Sequence, residues 1–83
     1  MKTNTYRHTF VAECPNNAQA IVYSLEIVTD KTVMVEHILT ACSLLRRAYH
    51  EDIADQLHER FGGNQVIRAN HHGVEIETRR SGA

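Results

Sequence analysis

The sequence predicts an α+β fold, a four-stranded antiparallel sheet made of two β-hairpins, in the order ββα(α)ββ, with a helical layer packed on one face. Three observations lead to this prediction. Residues 5–13 and 19–28 alternate as half-buried strands do. Residues 33–49 carry apolar side chains at helical spacing. Gly62-Gly63 then ends the helical signal, and a second pair of short strands follows. We expect residues 1–83 to form a single domain.

The first two strands are predicted to form a hairpin. In Thr5–Glu13 the side chains from Tyr6 to Ala12 at even positions point one way, and those at odd positions point the other way. Residues 14–17 supply the turn, because Pro15 fixes φ and asparagine tolerates turn conformations. Gln19–Val28 is rich in β-branched and aromatic residues, which favour strands.

The central helix, residues 33–49, has the clearest periodicity in the chain. Thr32 is its predicted N-cap, because a threonine hydroxyl can accept from the first N–H groups of a helix. One stripe of the helix is predicted to face the sheet, and it consists of Met34, Ile38, Ala41, Cys42, Leu45, Ala48 and Tyr49.

The helical signal continues beyond this helix to Phe61. Apolar residues now recur every four positions, at Tyr49, Ile53, Leu57 and Phe61, and each such step rotates the stripe by about 40°. We therefore expect a break near His50–Asp52, with Asp52 as a possible cap, and a second helix after it. The alternative is one long helix whose far half packs on a partner chain.

The last two strands are predicted at Gln65–Asn70 and Val74–Arg79, joined by a tight turn over Asn70–Gly73. In the final strand Val74 and Ile76 share one face, and charged side chains occupy the other. The sheet should then have one polar face, which is the surface most available to a partner.

Composition and charge limit the function classes. Lys plus Arg number 9 and Asp plus Glu number 10, so the net charge is −1. This balance argues against a dominant nucleic-acid footprint and against a highly acidic mimic of nucleic acid. No long apolar run is present, so we expect no signal peptide, no membrane span and a cytoplasmic location. The two cysteines, Cys14 and Cys42, should be reduced there.

Six histidines, at positions 8, 37, 50, 58, 71 and 72, raise the question of a metal site. HExxH, CxxC and HxH motifs are absent from the sequence, and metal sites need three or four converging ligands. Glu51, Asp55 and His58 share a helix face, which we interpret as a solvated charged surface. His71 and His72 are interpreted as surface residues of a turn. We therefore expect no metal, no cofactor and no enzymatic activity.

The order of two hairpins and two helices, ending in the segment Gly73–Thr78, resembles a tunnelling-fold subunit. Pterin-handling enzymes of the pyruvoyl-tetrahydropterin synthase kind have this fold. In that family a glutamate followed by a threonine on the final strand anchors the pterin ring. The resemblance therefore implies that Glu77, followed by Thr78, would anchor a pterin or purine.

The remaining surface is compact and carries charges of both signs, which suits specific binding to another protein. The predicted protein-binding residues are Arg7, Glu26, Arg68, Glu75, Glu77, Arg79 and Arg80. We expect a small non-enzymatic module that occludes a bacterial partner, as phage or mobile-element inhibitors of defence complexes such as CRISPR effectors do. The alternatives are a pterin- or purine-binding protein or enzyme subunit, and a small RNA-binding module that uses the arginines.

The sequence also predicts self-association. A sheet of four short strands has two edges, and the rotating stripe would leave Ile53, Leu57 or Phe61 partly uncovered. Because exposed edges and apolar patches tend to become buried, we expect a homodimer.

Overall fold

A computed structural model describes residues 2–82 and has the predicted α+β architecture. Its elements in chain order are β1 (Asn4–Glu13), β2 (Ala20–Thr29), α1 (Val35–Leu44), α2 (His50–Phe61), β3 (Asn64–His71) and β4 (Val74–Arg80). The strands form one antiparallel sheet in the order β1-β2-β3-β4, and both helices lie between β2 and β3 in the chain. Neither helix within residues 2–82 has the length and apolar character that a membrane crossing needs.

The core lies between the helices and one face of the sheet. In β2 the side chains of Ile21, Tyr23, Leu25 and Ile27 alternate with exposed or half-buried ones, and all four are buried. The registers with β1 and β3 are one-to-one, so the same alternation extends to the neighbouring strands. Burying each large side chain of this kind stabilises the fold by about 1.5–3 kcal/mol. We call the opposite side of the sheet the open face.

The first helix begins two residues later than predicted. α1 starts at Val35, and its N-cap position is held by Met34, whose side chain has no oxygen with which to cap. Thr32 is therefore not the N-cap. The N–H of Val33 donates instead to the hydroxyl of Tyr6 on β1 at 3.0 Å, so the residues before α1 are tied to the sheet.

The first helix also ends earlier than predicted, at Leu44 and not at Tyr49. The linker that follows pairs with the end of β1 as a short parallel segment. The N–H of Glu13 donates to the carbonyl of Arg46 at 2.7 Å, and the N–H of Ala48 donates to the carbonyl of Glu13 at 3.2 Å. The expected break near His50–Asp52 thus falls at residues 45–49, because pairing with β1 replaces the helical hydrogen bonds there.

The two-helix interpretation is confirmed, but the rotating stripe is wrong. The buried residues of α2 are His50, Ile53, Ala54 and Leu57, at spacings of three and four, and they stay on one side of the helix. Tyr49 precedes the helix and is exposed. Ile53 and Leu57 are therefore part of the core, and of the three residues that we expected to be partly uncovered only Phe61 is half-buried.

The end of α2 is fixed to the sheet by one buried side chain. The helix stops at Gly62, which has a φ of 65°. The amide of Gln65 on β3 donates to the carbonyls of Leu57 at 3.1 Å and of Gly62 at 2.8 Å. The bond to Gly62 satisfies a carbonyl that the helix end leaves without an intrahelical partner.

Candidate functional site

The open face brings together most of the residues predicted to bind a protein. Strand alternation and register place six of the seven there, namely Arg7 on β1, Glu26 on β2, Arg68 on β3, and Glu75, Glu77 and Arg79 on β4. Arg80 lies on the helix face. Its guanidinium is 2.7 Å from the carboxylate of Asp55 and 3.7 Å from that of Glu51. Arg80 is thus separated from the other six by the thickness of the sheet.

Ion pairs organise the charges of the open face. Nε of Arg7 is 3.0 Å from Oε1 of Glu26, across the β1–β2 pair. Glu77 accepts from Nε of Arg68 and from Nη2 of Arg79, each at 2.7 Å. The hydrogen bonds from Arg68 and then Arg79 hold the pKa of the Glu77 carboxyl below its usual value. Exposed pairs like these add little stability, so their main effect is to fix where each charge lies.

The open face is mixed in character. Val11 and Val22 stand directly opposite each other in the β1–β2 register, and both are exposed. Val66 lies between Glu26 and Arg79 in the register and is buried. The six predicted residues on this face carry three positive and three negative charges. This surface therefore lacks the basic excess that an RNA-binding module would use.

A second feature is a groove on the helix face, at the start of α2. Its volume is about 430 Å³, and its walls include Cys14, Tyr23, Tyr49, His50, His71 and Thr78. It is the kind of concave surface, with aromatic walls and a few polar groups, that small ligands use.

Two histidines meet at this groove. Nδ1 of His50 and Nε2 of His71 are 3.3 Å apart, so one ring donates a hydrogen bond to the other. The ring of Tyr23 packs against both, with centroid distances of 5.5 Å to His50 and 5.9 Å to His71. His71 is half-buried, which corrects its interpretation as a surface residue, whereas His72 is exposed as predicted.

Burial shifts the pKa values of two groove residues, His50 and Tyr23. His50 is only 6% exposed. Its pKa is lowered first by this burial and then by the charge of His71, and the charge of Glu51 opposes the shift. Burial, followed by the nearby Cys14, raises the pKa of Tyr23. Nε2 of His50 and the Tyr23 hydroxyl have no hydrogen-bond partner among residues 2–82.

Sequence reasoning missed the His50–His71 contact, although two signals for it exist. His50 precedes Ile53 and Ala54 by three and four positions, so it belongs to the buried stripe of α2. His71 continues the inward alternation of Ile67 and Ala69 along β3. These two positions come together only through the packing of α2 on the sheet and the pairing of β3 with β2.

Metal-ligating residues do not converge in the described part of the chain. Within residues 2–82 no group of three or more His, Cys, Asp or Glu side chains is placed to hold a metal ion. Glu51 and Asp55, two of the three residues that share a charged helix face, both pair with Arg80. A guanidinium therefore occupies the position that a cation would take.

Comparison with protein-family models, with curated proteins and with solved structures finds no match to this chain. The resemblance to tunnelling-fold subunits thus stands on the order of the elements and on Glu77-Thr78. Glu77, the implied pterin anchor, faces away from the groove and is paired with Arg68 and Arg79.

Proposed function

We propose that this chain is a non-enzymatic protein-binding module that inhibits its partner by covering a working surface with the open face. The observation that carries the proposal is the open face itself, one whole side of a four-stranded sheet that bears fixed charges beside exposed valines. The two longer dimensions of the molecule, 42 and 23 Å, suit the roughly 800 Å² that each partner buries in a standard interface.

The arrangement of charges favours a protein partner over nucleic acid. Arg7, Arg68 and Arg79 are each held by a glutamate, so the face offers a pattern of both signs and not a positive field. Patterns of both signs give specificity and fast association between proteins. Small modules of this size are common among phage and mobile-element inhibitors of bacterial defence complexes. A complex such as a CRISPR effector is therefore the first partner to test.

The proposal is tested by capture followed by charge reversal. A tagged chain is used to recover partners from a bacterial lysate, and a partner identified by mass spectrometry is then titrated in purified form. Glu75→Lys and Arg7→Glu reverse charges on the open face. We expect each to weaken binding about tenfold or more, since the reversed charge would then oppose a like charge of the partner across the interface.

Glu59→Lys is the matched control, because Glu59 is an exposed carboxylate on α2, on the other side of the molecule. It should leave the affinity unchanged. Equal loss for Glu59→Lys and Glu75→Lys would contradict the proposal, as would a partner whose affinity neither open-face reversal changes.

A second candidate function, binding of a small planar ligand, is favoured by the groove beside His50 and His71. The observation is that Tyr23 and His50 line this groove and each has a buried polar atom without a partner among residues 2–82. Pterins and purines should then raise the melting temperature, and His71→Ala should abolish the rise. If Glu77→Gln abolished it and His71→Ala did not, the ligand would bind at the open face as the tunnelling-fold resemblance implies.

A further inference from the structure

We propose that β1 is a dimerisation edge, at which two copies of this chain pair their β1 strands antiparallel across a two-fold axis and form one eight-stranded sheet. The pairing uses the main-chain groups along the β1 edge, which adjoins the open face, and the inference goes beyond the proposed function.

The main-chain groups of β1 that point away from β2 are available for such pairing. β1 is an outer strand of the sheet and pairs one-to-one with β2 over all ten of its residues. Both main-chain groups of Glu13 point outward, to the linker. Because main-chain direction alternates along a strand, the outward groups of the rest of β1 belong to Thr5, Arg7, Thr9 and Val11.

The two edges of the sheet differ in how they are protected. Charged side chains, proline and lysine discourage edge pairing. On β1, three of the four outward positions are uncharged, and the strand contains neither proline nor lysine. On β4, His72-Gly73 forms a two-residue turn, so the outward main-chain groups belong to Glu75, Glu77 and Arg79. All three are charged, which makes β1 the edge that pairs.

An exposed apolar surface lies beside the β1 edge. On α1 the side chains of Val35 and Leu39 are 56% and 49% exposed and sit one helical turn apart. With Tyr6 and His8 of β1 they border a cavity of about 240 Å³. A two-fold axis perpendicular to the sheet, between the two β1 strands, puts both copies of α1 on the same side of the joined sheet. Val35 and Leu39 then meet their counterparts, so the hydrophobic effect and the strand pairing favour the same dimer.

Charge selects the register of the pairing. If Thr5 pairs with the partner's Val11 and Arg7 with the partner's Thr9, all four outward positions are used and no like charges are opposed. If one strand were shifted along the other by one such pair in one direction, Arg7 would lie directly opposite the partner's Arg7. A shift in the other direction would need Glu13, whose main chain is already bonded to the linker. In the selected register His8 lies opposite the partner's His8 on the helix face.

Sedimentation equilibrium of the full chain at tens of micromolar tests the dimer. The wild type should be dimeric. Thr9→Pro removes one outward N–H, and Leu39→Lys puts a charge into the apolar contact. Each should raise the dimer dissociation constant about tenfold or more. Glu75→Pro on the other edge and Leu44→Lys at the far end of α1 are matched controls and should remain dimeric. A monomeric wild type, or a dimer lost only in the controls, would overturn the proposal.

Cross-linking tests the register and does not depend on Thr9→Pro being folded. In a Cys14→Ser, Cys42→Ala background, His8→Cys should form an intermolecular disulfide on mild oxidation. Directly opposed residues at a position without ladder hydrogen bonds have Cα atoms about 4.5 Å apart, which lies within the disulfide range. Val11→Cys is the control, because its two copies would lie far apart along the strands. Cross-linking of Val11→Cys as readily as His8→Cys would overturn the pairing.

Discussion

At the scale of single residues, the burial of His50 beside His71 should make stability depend on pH. The folded state lowers the pKa of His50 below the 6.5 of an unperturbed histidine. Above about pH 6.5 the His50 ring is neutral in both the folded and the unfolded state, so its titration does not change the free energy of unfolding there. Below that pH the unfolded chain binds a proton that the folded chain resists. The free energy of unfolding, measured by urea titration, should therefore fall between pH 7 and pH 5.5.

Two variants isolate this effect from other titrating groups. His50→Gln should flatten the dependence, because it removes the group with the lowered pKa. His37→Gln replaces an exposed histidine on α1, so this variant should retain the pH dependence of the wild type. A wild-type pH dependence that matches that of His50→Gln would show that the lowered pKa of His50 does not cause the dependence.

Leu44 and Leu45, adjacent in the chain, should respond very differently to truncation. Leu45 is 8% exposed and belongs to the core, whereas Leu44 is 69% exposed. Leu45→Ala should cost about 2–5 kcal/mol of unfolding free energy, since it leaves a cavity. Leu44→Ala should cost less than about 0.5 kcal/mol. Equal losses in chemical denaturation would mean that the turn after α1 is placed incorrectly.

At the scale of elements, the junction between α2 and β3 is built around one glycine. A Cβ on Gly63 would lie 2.8 Å from the carbonyl oxygen of Val28 and 3.1 Å from Cβ of Thr29, and φ is +72°. Gly63→Ala should therefore strain the backbone and also push β3 away from β2. We expect a loss of about 3 kcal/mol or more in thermal or chemical unfolding.

Gly73, in the turn between β3 and β4, is the control for backbone strain alone. Its φ is +90°, but a Cβ there would meet nothing within 4 Å among the described residues. Gly73→Ala should cost only the conformational penalty, about 1–2 kcal/mol. If the two alanine variants were equally destabilised, the close approach of the chain at Gly63 would not contribute to the loss of stability.

The elements themselves could be predicted from local sequence, whereas their ends could not. Alternation in β1 and β2 and the stop at Gly62-Gly63 are local patterns, and the structure has both. The end of α1 at Leu44 depends on pairing of the linker with Glu13, which is distant in the chain. The apolar periodicity of a segment does not reveal that its main chain will bond to a distant strand in place of continuing the helix.

In the candidate site too, local sequence predicts some features, and others depend on contacts between distant residues. Strand alternation was sufficient to put six charged residues on one face of the sheet. Arg80 lies outside the predicted strand, which ends at Arg79. β4 extends to Arg80, whose side chain alternates to the helix side, where Asp55 and Glu51 pair with it. The groove at His50 and His71 could not be predicted, since it needs the β2–β3 register and the packing of α2 at once.

At the scale of the whole molecule, the central ladder has a consequence for the rate of folding. β1–β2 and β3–β4 are local hairpins, but β2 pairs with β3 across both helices, from Val28 with Asn64 to Tyr23 with Ala69. Closing so long a loop costs conformational entropy before the contacts between β2 and β3 can offset that cost. Folds rich in contacts between distant residues therefore form slowly. Docking of the two hairpins should therefore limit the rate. In stopped-flow experiments Ile67→Val, in the central ladder, should slow refolding, whereas Gly73→Ala, in the hairpin turn, should mainly change the rate of unfolding.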